Sequence, residues 1–366
     1  MKNLYIHVPF CKKKCDYCAF FSVENSDPSL WEKWLKKVLA DLEKEQHRLQ
    51  NVKTLYFGGG TPTLPDAAFL EKMFCRIKER ITLAPDAEIT TEANPETITE
   101  ERAAVLGKHI NRVSMGVQSF HTEKRRVLGR LPESADNTET ALERLRNAGI
   151  RNIGFDLMYA VPGETMAVWE DDLKRAAGMG IEHLSAYALT PEENTPYAIA
   201  HGLKAADDDL ASDMWHTAAE ILNTYGLNRY EISNYAKPGH EAKHNVNVWY
   251  GETYLGLGPS ATSFDGSDRW TECSSMDGWL NLTPPEIDRI EPDARHREIL
   301  IMGLRTVKGW TQKKFSTATG WKSWCNAEPV LHALQEQGLI EVTPDLCRAT
   351  GTGLEFWNGI AEQLIL

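Results

Sequence analysis

The first half of the chain alternates short, apolar, β-prone runs with longer stretches of helical periodicity. Leu4 to Val8, Thr54 to Phe57, Glu88 to Glu92, Arg112 to Gly116, Asn152 to Met158 and His183 to Ala188 are runs of the first kind. Leu30 to Gln50, Ala67 to Ile81, Asp136 to Ala148 and Met166 to Met179 carry the second. Strand followed by helix, repeated, is the signature of βα units around a parallel sheet. Six candidate strands predict an α/β fold closed as a partial (β/α)6 barrel. Local punctuation agrees: Thr97 and Glu100 have capping-box spacing, and Asn147-Ala148-Gly149 provides a glycine stop.

Beyond the sixth strand a helix is expected over Ala205 to Tyr225, then a Gly-, Pro- and aromatic-rich stretch reaching Phe264. That stretch reads as irregular, site-forming structure near 226–264. Pro284, Pro285 and Pro292 mark a linker between Thr283 and Asp293. Short helices follow at Glu298 to Thr306, Thr311 to Thr317, Ala327 to Gln337 and Thr352 to Leu366, around a turn-like Gly338 to Val342. The expected division is a barrel domain, 1–285, and a small, mostly helical, winged-helix-like domain, 286–366. Neither a fixed repeat nor a low-complexity tract is visible, so solenoids and disordered tails are not indicated.

A length of 366 residues suits a barrel-sized domain with an appendage. No apolar run approaches the ~18 residues of a membrane span, so no transmembrane segment is expected, though contact with a membrane surface stays open. Met1 to Val8 enters a strand without the apolar stretch of a secretory signal, which predicts a cytoplasmic protein. A net charge of −12 disfavours polyanions, and the C-terminal segment lacks a basic helix face. Nucleic acid is therefore not an expected partner.

Charge excludes; the cysteines point to a chemistry. Three of the seven, Cys11, Cys15 and Cys18, fall within eight residues, while Cys75, Cys273, Cys325 and Cys347 are scattered and expected to be buried or inert. Clustering of this kind indicates metal binding rather than a disulfide framework. The triplet follows the first strand, at the end of a barrel where active sites gather. Thiolates spaced by three and two residues can wrap one compact 4Fe-4S cluster, leaving one iron without a protein ligand. Lys12, Lys13 and Lys14 favour the thiolate form. The competing reading is structural zinc, with His7 or a distant residue as fourth ligand, but no second nearby pair supports it.

Gly58-Gly59-Gly60-Thr61-Pro62 closes the second strand at the same end, where glycines let backbone approach a ligand. Taken alone this is a turn motif, without dinucleotide or Walker spacing. Glu92 and Asn94, Gln118 and Asp156 recur at the ends of later strands. Helix capping would explain most such residues. Asp156, inside the apolar run Ile153 to Met158, instead requires a dedicated partner.

Taken in order, Tyr5-Ile6-His7-Val8-Pro9-Phe10-Cys11, the three cysteines, Gly58 to Pro62, Glu92-Ala93-Asn94-Pro95, Ser114 to Phe120 and Asp156-Leu157-Met158-Tyr159 resemble the motifs of a known group. It is the radical-SAM proteins of the oxygen-independent coproporphyrinogen III oxidase group, over nearly the whole chain. The resemblance implies that Gly59, Gly60, Thr61, Glu92, Gln118, Arg130 and Asp156 line an S-adenosylmethionine site, with Tyr5 and Tyr17 close to the cluster. Oxidases of the group resemble CxxxCxxCxC and carry an N-terminal extension. Here Ala19 is followed by Phe20 and the motif starts almost at once, which fits the heme-chaperone branch better. That branch carries an HNxxYW motif, here His244-Asn245-Val246-Asn247-Val248-Trp249 with valine at the tyrosine position. His244 is the implied heme ligand, since imidazole suits heme iron. The implied function is holding heme and passing it to an acceptor protein, with coproporphyrinogen III decarboxylation as the alternative.

Overall fold

The computed structural model describes residues 1–24, 27–130, 137–203, 207–324 and 327–365. Cys325 and the predicted termini Asp136, Ala205 and Leu366 lie outside them. All six predicted strands form: β1 (Asn3–Val8), β2 (Val52–Gly59), β3 (Leu83–Ala93), β4 (Arg112–Gln118), β5 (Asn152–Tyr159) and β6 (His183–Ala188). They pair in that order, each parallel to the next. β7 (Asn234–Ala236) then adds antiparallel to β6. The stretch expected to be irregular instead supplies β8 (Tyr254–Leu257), which lies parallel to β1 on its free side, with Leu4 opposite Leu255. Three antiparallel strands, β9 (Thr262–Phe264), β10 (Asp268–Thr271) and β11 (Glu286–Arg289), extend that edge. β11 forms inside the proline-marked segment read as a linker: Pro284 and Pro285 precede the strand and Pro292 starts a helix, so all three stay off the ladder.

Crossover helices coat the outer face. α1 (Pro28–Glu45) starts where the Asp27 side chain accepts from Ser29 N–H, has proline in its first turn, and buries Trp31, Trp34, Leu35, Val38 and Leu42 at helical spacing. α2 (Ala67–Lys78), α3 (Glu100–His109), α4 (Thr138–Asn147), α5 (Met166–Gly178) and α6 (Asp208–Thr224) follow. The cap of α3 is Thr99, whose hydroxyl accepts from Arg102 N–H, and not Thr97, which is spent on Asn94 O and Thr63. Gly149, at φ 94°, closes α4 as expected.

Side-chain direction alternates along each strand. Ile6, Leu55, Phe57, Val113, Met115, Phe155, Leu157 and Leu184 are buried in one continuous apolar cluster. Their neighbours Tyr56, Glu92, Ser114, Asp156 and Ser185 line a cavity. The barrel is thus apolar between sheet and helices and polar inside.

After β7 a short helix, α7 (Lys243–Trp249), carries the histidine motif. The C-terminal residues form α8 (Pro292–Leu304), further short helices and a three-stranded sheet ordered Trp310–Thr311, Leu346–Ala349, Ile340–Val342, around a separate core that includes Trp310, Phe315 and Leu334. The segment read as turn-like, Gly338 to Val342, therefore contains a strand. Glu231, fully buried beside β7, joins the two parts: Arg305 Nε and Nη2 donate to its Oε2 at 2.9 and 2.7 Å, while Ser233 N and Asn234 Nδ2 donate to Oε1.

Candidate functional site

At the C-terminal ends of the strands, one cavity of about 490 Å³ is lined by Cys11, Cys15 and Cys18 and by polar residues from β2 to β6. Gly59 sits at φ 112°, with the His7 ring 2.4 Å from where a Cβ would lie, and Gly60 would place one 2.6 Å from Phe10 O. Only glycine fits this approach, which brings the Gly-rich turn against the cysteine loop.

Glu92 is the anchor of the turn. Gly59 N–H donates to its Oε2 and Tyr56 Oη to its Oε1, both at 2.9 Å. Burial pushes its carboxyl up to about 7, against those two hydrogen bonds. Asp156 has the dedicated partner its position demanded: the Ser114 hydroxyl lies 3.1 Å from both oxygens. Burial raises this carboxyl too. Asn94 caps no helix with its side chain; its Nδ2 donates to Thr61 Oγ1 at 3.1 Å and its Oδ1 accepts from Arg130 at 3.1 Å. Arg130 also donates to Gly116 O and points Nη1 at Cys15 Sγ, 3.6 Å away. Gln118, at φ 65°, and Tyr17 also line the cavity.

The thiols suit a cluster better than a single ion. Burial raises Cys11, and Cys18 to about 11, so thiolates need a cationic centre to persist there. His7 is unavailable as a zinc ligand: Nδ1 bonds Tyr5 Oη at 3.0 Å and Nε2 bonds Phe21 O at 2.8 Å. Among the described residues, the group with ligand atoms within 4.8 Å of one another is Glu71, Cys75 and His109 on the outer helices, not the cysteine triplet. The three cysteines line one cavity without converging on a single point. Free amine and hydroxyl donors of a nucleotide sulfonium would meet the carboxylates of Glu92 and Asp156.

Two implied residues lie elsewhere. Tyr5 sits a layer below the glycine turn, its ring 5.9 Å from Tyr56 and its hydroxyl held by His7. His244 lies at the opposite end of the barrel. The α7 backbone is strapped there, with Lys243 N and His244 N each donating to Glu88 at 3.0 Å. His244 Nδ1 is 2.8 Å from Thr54 Oγ1, which itself donates to Asn3 Oδ1 at 2.9 Å. Asn3 Nδ2 donates to Thr253 O, so its Oδ1 is the acceptor and the Thr54 hydrogen is committed. Nδ1 of His244 therefore carries the ring proton and Nε2 the lone pair. Burial holds this histidine down at about 4, so it is neutral. From Thr54 to Gly60 is six residues of strand, roughly 20 Å. α7 separates two spaces: Asn245 faces the barrel cavity, while Lys243, Val246 and Asn247 line an outer cleft of about 680 Å³ reaching Tyr250, Thr306 and Lys308.

Tyr56, Ser114 and Arg112 were not among the expected site residues. The signal for them is period-two polarity, Thr54-x-Tyr56-x-Gly58 and Arg112-x-Ser114-x-Gly116-x-Gln118.

Residues 5–176 match the radical SAM superfamily and residues 290–356 the HemN C-terminal domain. Heme chaperone HemW of Escherichia coli is 32% identical over 374 residues, covering 99% of this chain and 98% of that protein. Heme chaperone HemW of Lactococcus lactis is 30% identical, covering 100% and 97%. This chain belongs to the HemW family. Among solved structures, coproporphyrinogen III oxidase (HemN) from Escherichia coli, a radical SAM enzyme, superposes with a TM-score of 0.85 at 20% identity, covering 99% of this chain and 89% of that one. The partial barrel expected from the βα alternation, and its radical-SAM type implied by the motif resemblance, are thereby shown, with the C-terminal region matching as well.

Proposed function

We propose that this member of the HemW family is a heme chaperone: it binds heme, passes it to an acceptor protein, and carries a 4Fe-4S cluster with exchangeable S-adenosylmethionine. The observation that supports this most is the separation of two sites, a cysteine-lined cavity at one end of the barrel and a neutral histidine on α7 at the other. Cys11, Cys15 and Cys18 would hold three irons of the cluster, and Glu92, Asp156, Gln118 and Arg130 with Gly59, Gly60 and Thr61 would orient the nucleotide. When bound, these groups supply one-electron cleavage of a sulfonium carbon–sulfur bond. Glu92 accepts from the Gly59 backbone and Tyr56, leaving its remaining lone pairs for an amine. Arg130 neutralises the cysteine loop by its contact with Cys15. His244 offers Nε2 to heme iron, with Thr54 fixing the tautomer from behind.

Anaerobic reconstitution followed by heme titration and a coproporphyrinogen III assay on one sample tests the reading. Stoichiometric Soret-band binding without porphyrin product supports a chaperone. Turnover with methionine release would replace it with oxidative decarboxylation. Soluble heme-free protein after saturation would remove both the heme role and His244 as ligand.

A further inference from the structure

The floor of the barrel cavity holds a cation with nothing to pair it. Arg112, first residue of β4, is 2% exposed and lines the cavity with Ser114, Asp156 and His183. Among the described residues its guanidinium makes no hydrogen bond or ion pair, and its Nε is fully enclosed without a partner. Its charge is nonetheless felt around the interior: it lowers the protonation of His183 and His244 and favours the ionised form of Asp156. Beside it His183 is 1% exposed, with Nε2 at 2.8 Å from Tyr230 Oη and Nδ1 enclosed and unpartnered. Thr90, opposite Arg112 in register, likewise has an enclosed hydroxyl without a partner. Two unsatisfied polar groups in one cavity, with a third on the strand paired beside Arg112, are unusual, because buried polar groups are almost always paired, and a buried charge is costly until it is.

A planar fork of donors at the bottom of a pocket matches a carboxylate. We propose that Arg112, assisted by His183, is the subsite for a carboxylate arm of the second ligand of this cavity, a tetrapyrrole propionate, distinct from the nucleotide cradle at the mouth. This rests on the tetrapyrrole reading above and names the group on the ligand that the floor recognises. A single guanidinium flanked by neutral donors suits a monoanion better than a phosphate, and Asp156 and Glu92 above it would repel a larger negative charge. The cost of leaving the arginine unpaired in the free protein is the stability commonly given up at a binding site.

Cluster-loaded protein saturated with S-adenosylmethionine is titrated anaerobically with protoporphyrin IX and with its dimethyl ester, for wild type, Arg112→Gln and Arg112→Lys. The wild type is expected to prefer the diacid by roughly 10-fold or more, Arg112→Gln to lose that preference, and Arg112→Lys to keep part of it. An unchanged acid-to-ester ratio in Arg112→Gln overturns the proposal. So does a 10-fold loss of S-adenosylmethionine affinity in that variant, which would assign Arg112 to the nucleotide's own carboxylate. The melting temperature of ligand-free Arg112→Met is a second check: an unpaired cation leaves it unchanged or raised, and a fall of several degrees means a structural arginine and overturns the assignment. Glutarate separates the two readings. If neither porphyrin binds wild type but glutarate raises its melting temperature and not that of Arg112→Gln, the carboxylate subsite stands and the heme reading falls. If heme binds while neither ester nor glutarate distinguishes the variant, the subsite falls alone.

Discussion

The two ends of the barrel interior are built on opposite terms. At the mouth, polar groups are interlocked: Glu92 with Gly59 and Tyr56, Asp156 with Ser114, Asn94 with Thr61 and Arg130. At the floor a helix has been strapped across the strand ends through Glu88, Thr54 and Asn3, and next to that strap sits an unpaired arginine. On the function proposed above, the mouth would receive a cofactor of fixed shape. The floor is closed by backbone and left electrostatically unfinished, which is how a site looks when its missing partner is a ligand rather than a neighbour. Each end should consequently respond to its own ligand and ignore the other's.

The sharpest way to break that contrast is at the cysteines. Cys11→Ala, Cys15→Ala or Cys18→Ala should abolish bound iron and the cluster absorbance while leaving heme affinity within about twofold. Loss of heme binding in all three would merge the two ends into one site. Next, Glu92→Gln should weaken S-adenosylmethionine binding by roughly 10- to 100-fold, the worth of a charge-assisted hydrogen bond at ~1.5–3 kcal/mol, read from the cluster spectrum on titration.

The same variant has a pH signature. Glu92 is raised from 4.5 to about 7, so the folded state keeps a proton that the unfolded chain releases. The stability tied to that proton is complete below 4.5 and is lost as pH rises through about 7. Ligand-free Glu92→Gln should therefore melt at higher temperature than wild type at pH 8 and no higher at pH 4. A constant difference across this range would mean that the carboxyl is not held protonated.

At the floor, His244→Ala should weaken heme binding by about 10-fold, equivalent to ~1.4 kcal/mol, with iron content and S-adenosylmethionine affinity unchanged. Unaltered heme affinity removes the ligand assignment. The smallest effect expected is from Ser114→Ala, a few-fold loss of S-adenosylmethionine affinity from removing a neutral donor worth about 1 kcal/mol. A larger loss would make Asp156, not Glu92, the dominant anchor at the mouth.

Strand and helix identities were legible because short apolar, β-prone runs alternate with longer segments of helical periodicity, and the cysteine triplet because its three members fall within eight residues. Less legible was everything set by pairing at a distance. β8 is only four residues long, too short to announce itself, and it is its pairing with β1 that makes it a strand. The proline-marked segment became β11 because prolines just outside an edge strand cost it no hydrogen bond. Thr97 has the right spacing for a cap but its hydroxyl finds Thr63 across the chain, leaving the task to Thr99. The distance between His244 and the cysteines is invisible to a motif, since both lie beside the first strands and differ only in which end they meet. Polarity alternating along β4 announced Ser114 and Arg112, but a reading centred on strand termini passes over residues pointing into the lumen.

Glu231 has a further bearing on how the chain can be handled. Its carboxylate is completely enclosed in the full chain and draws both hydrogen bonds to one oxygen from Arg305, just past the end of α8. A truncation that stops before Pro292 would remove the guanidinium that pairs this carboxylate, and losing one partner of a buried pair costs roughly 3–5 kcal/mol. That is a large share of what holds any domain of this size folded. Calorimetry on the full chain should accordingly show one cooperative endotherm, and expression of the N-terminal segment alone should give inclusion bodies unless Glu231 is replaced by glutamine.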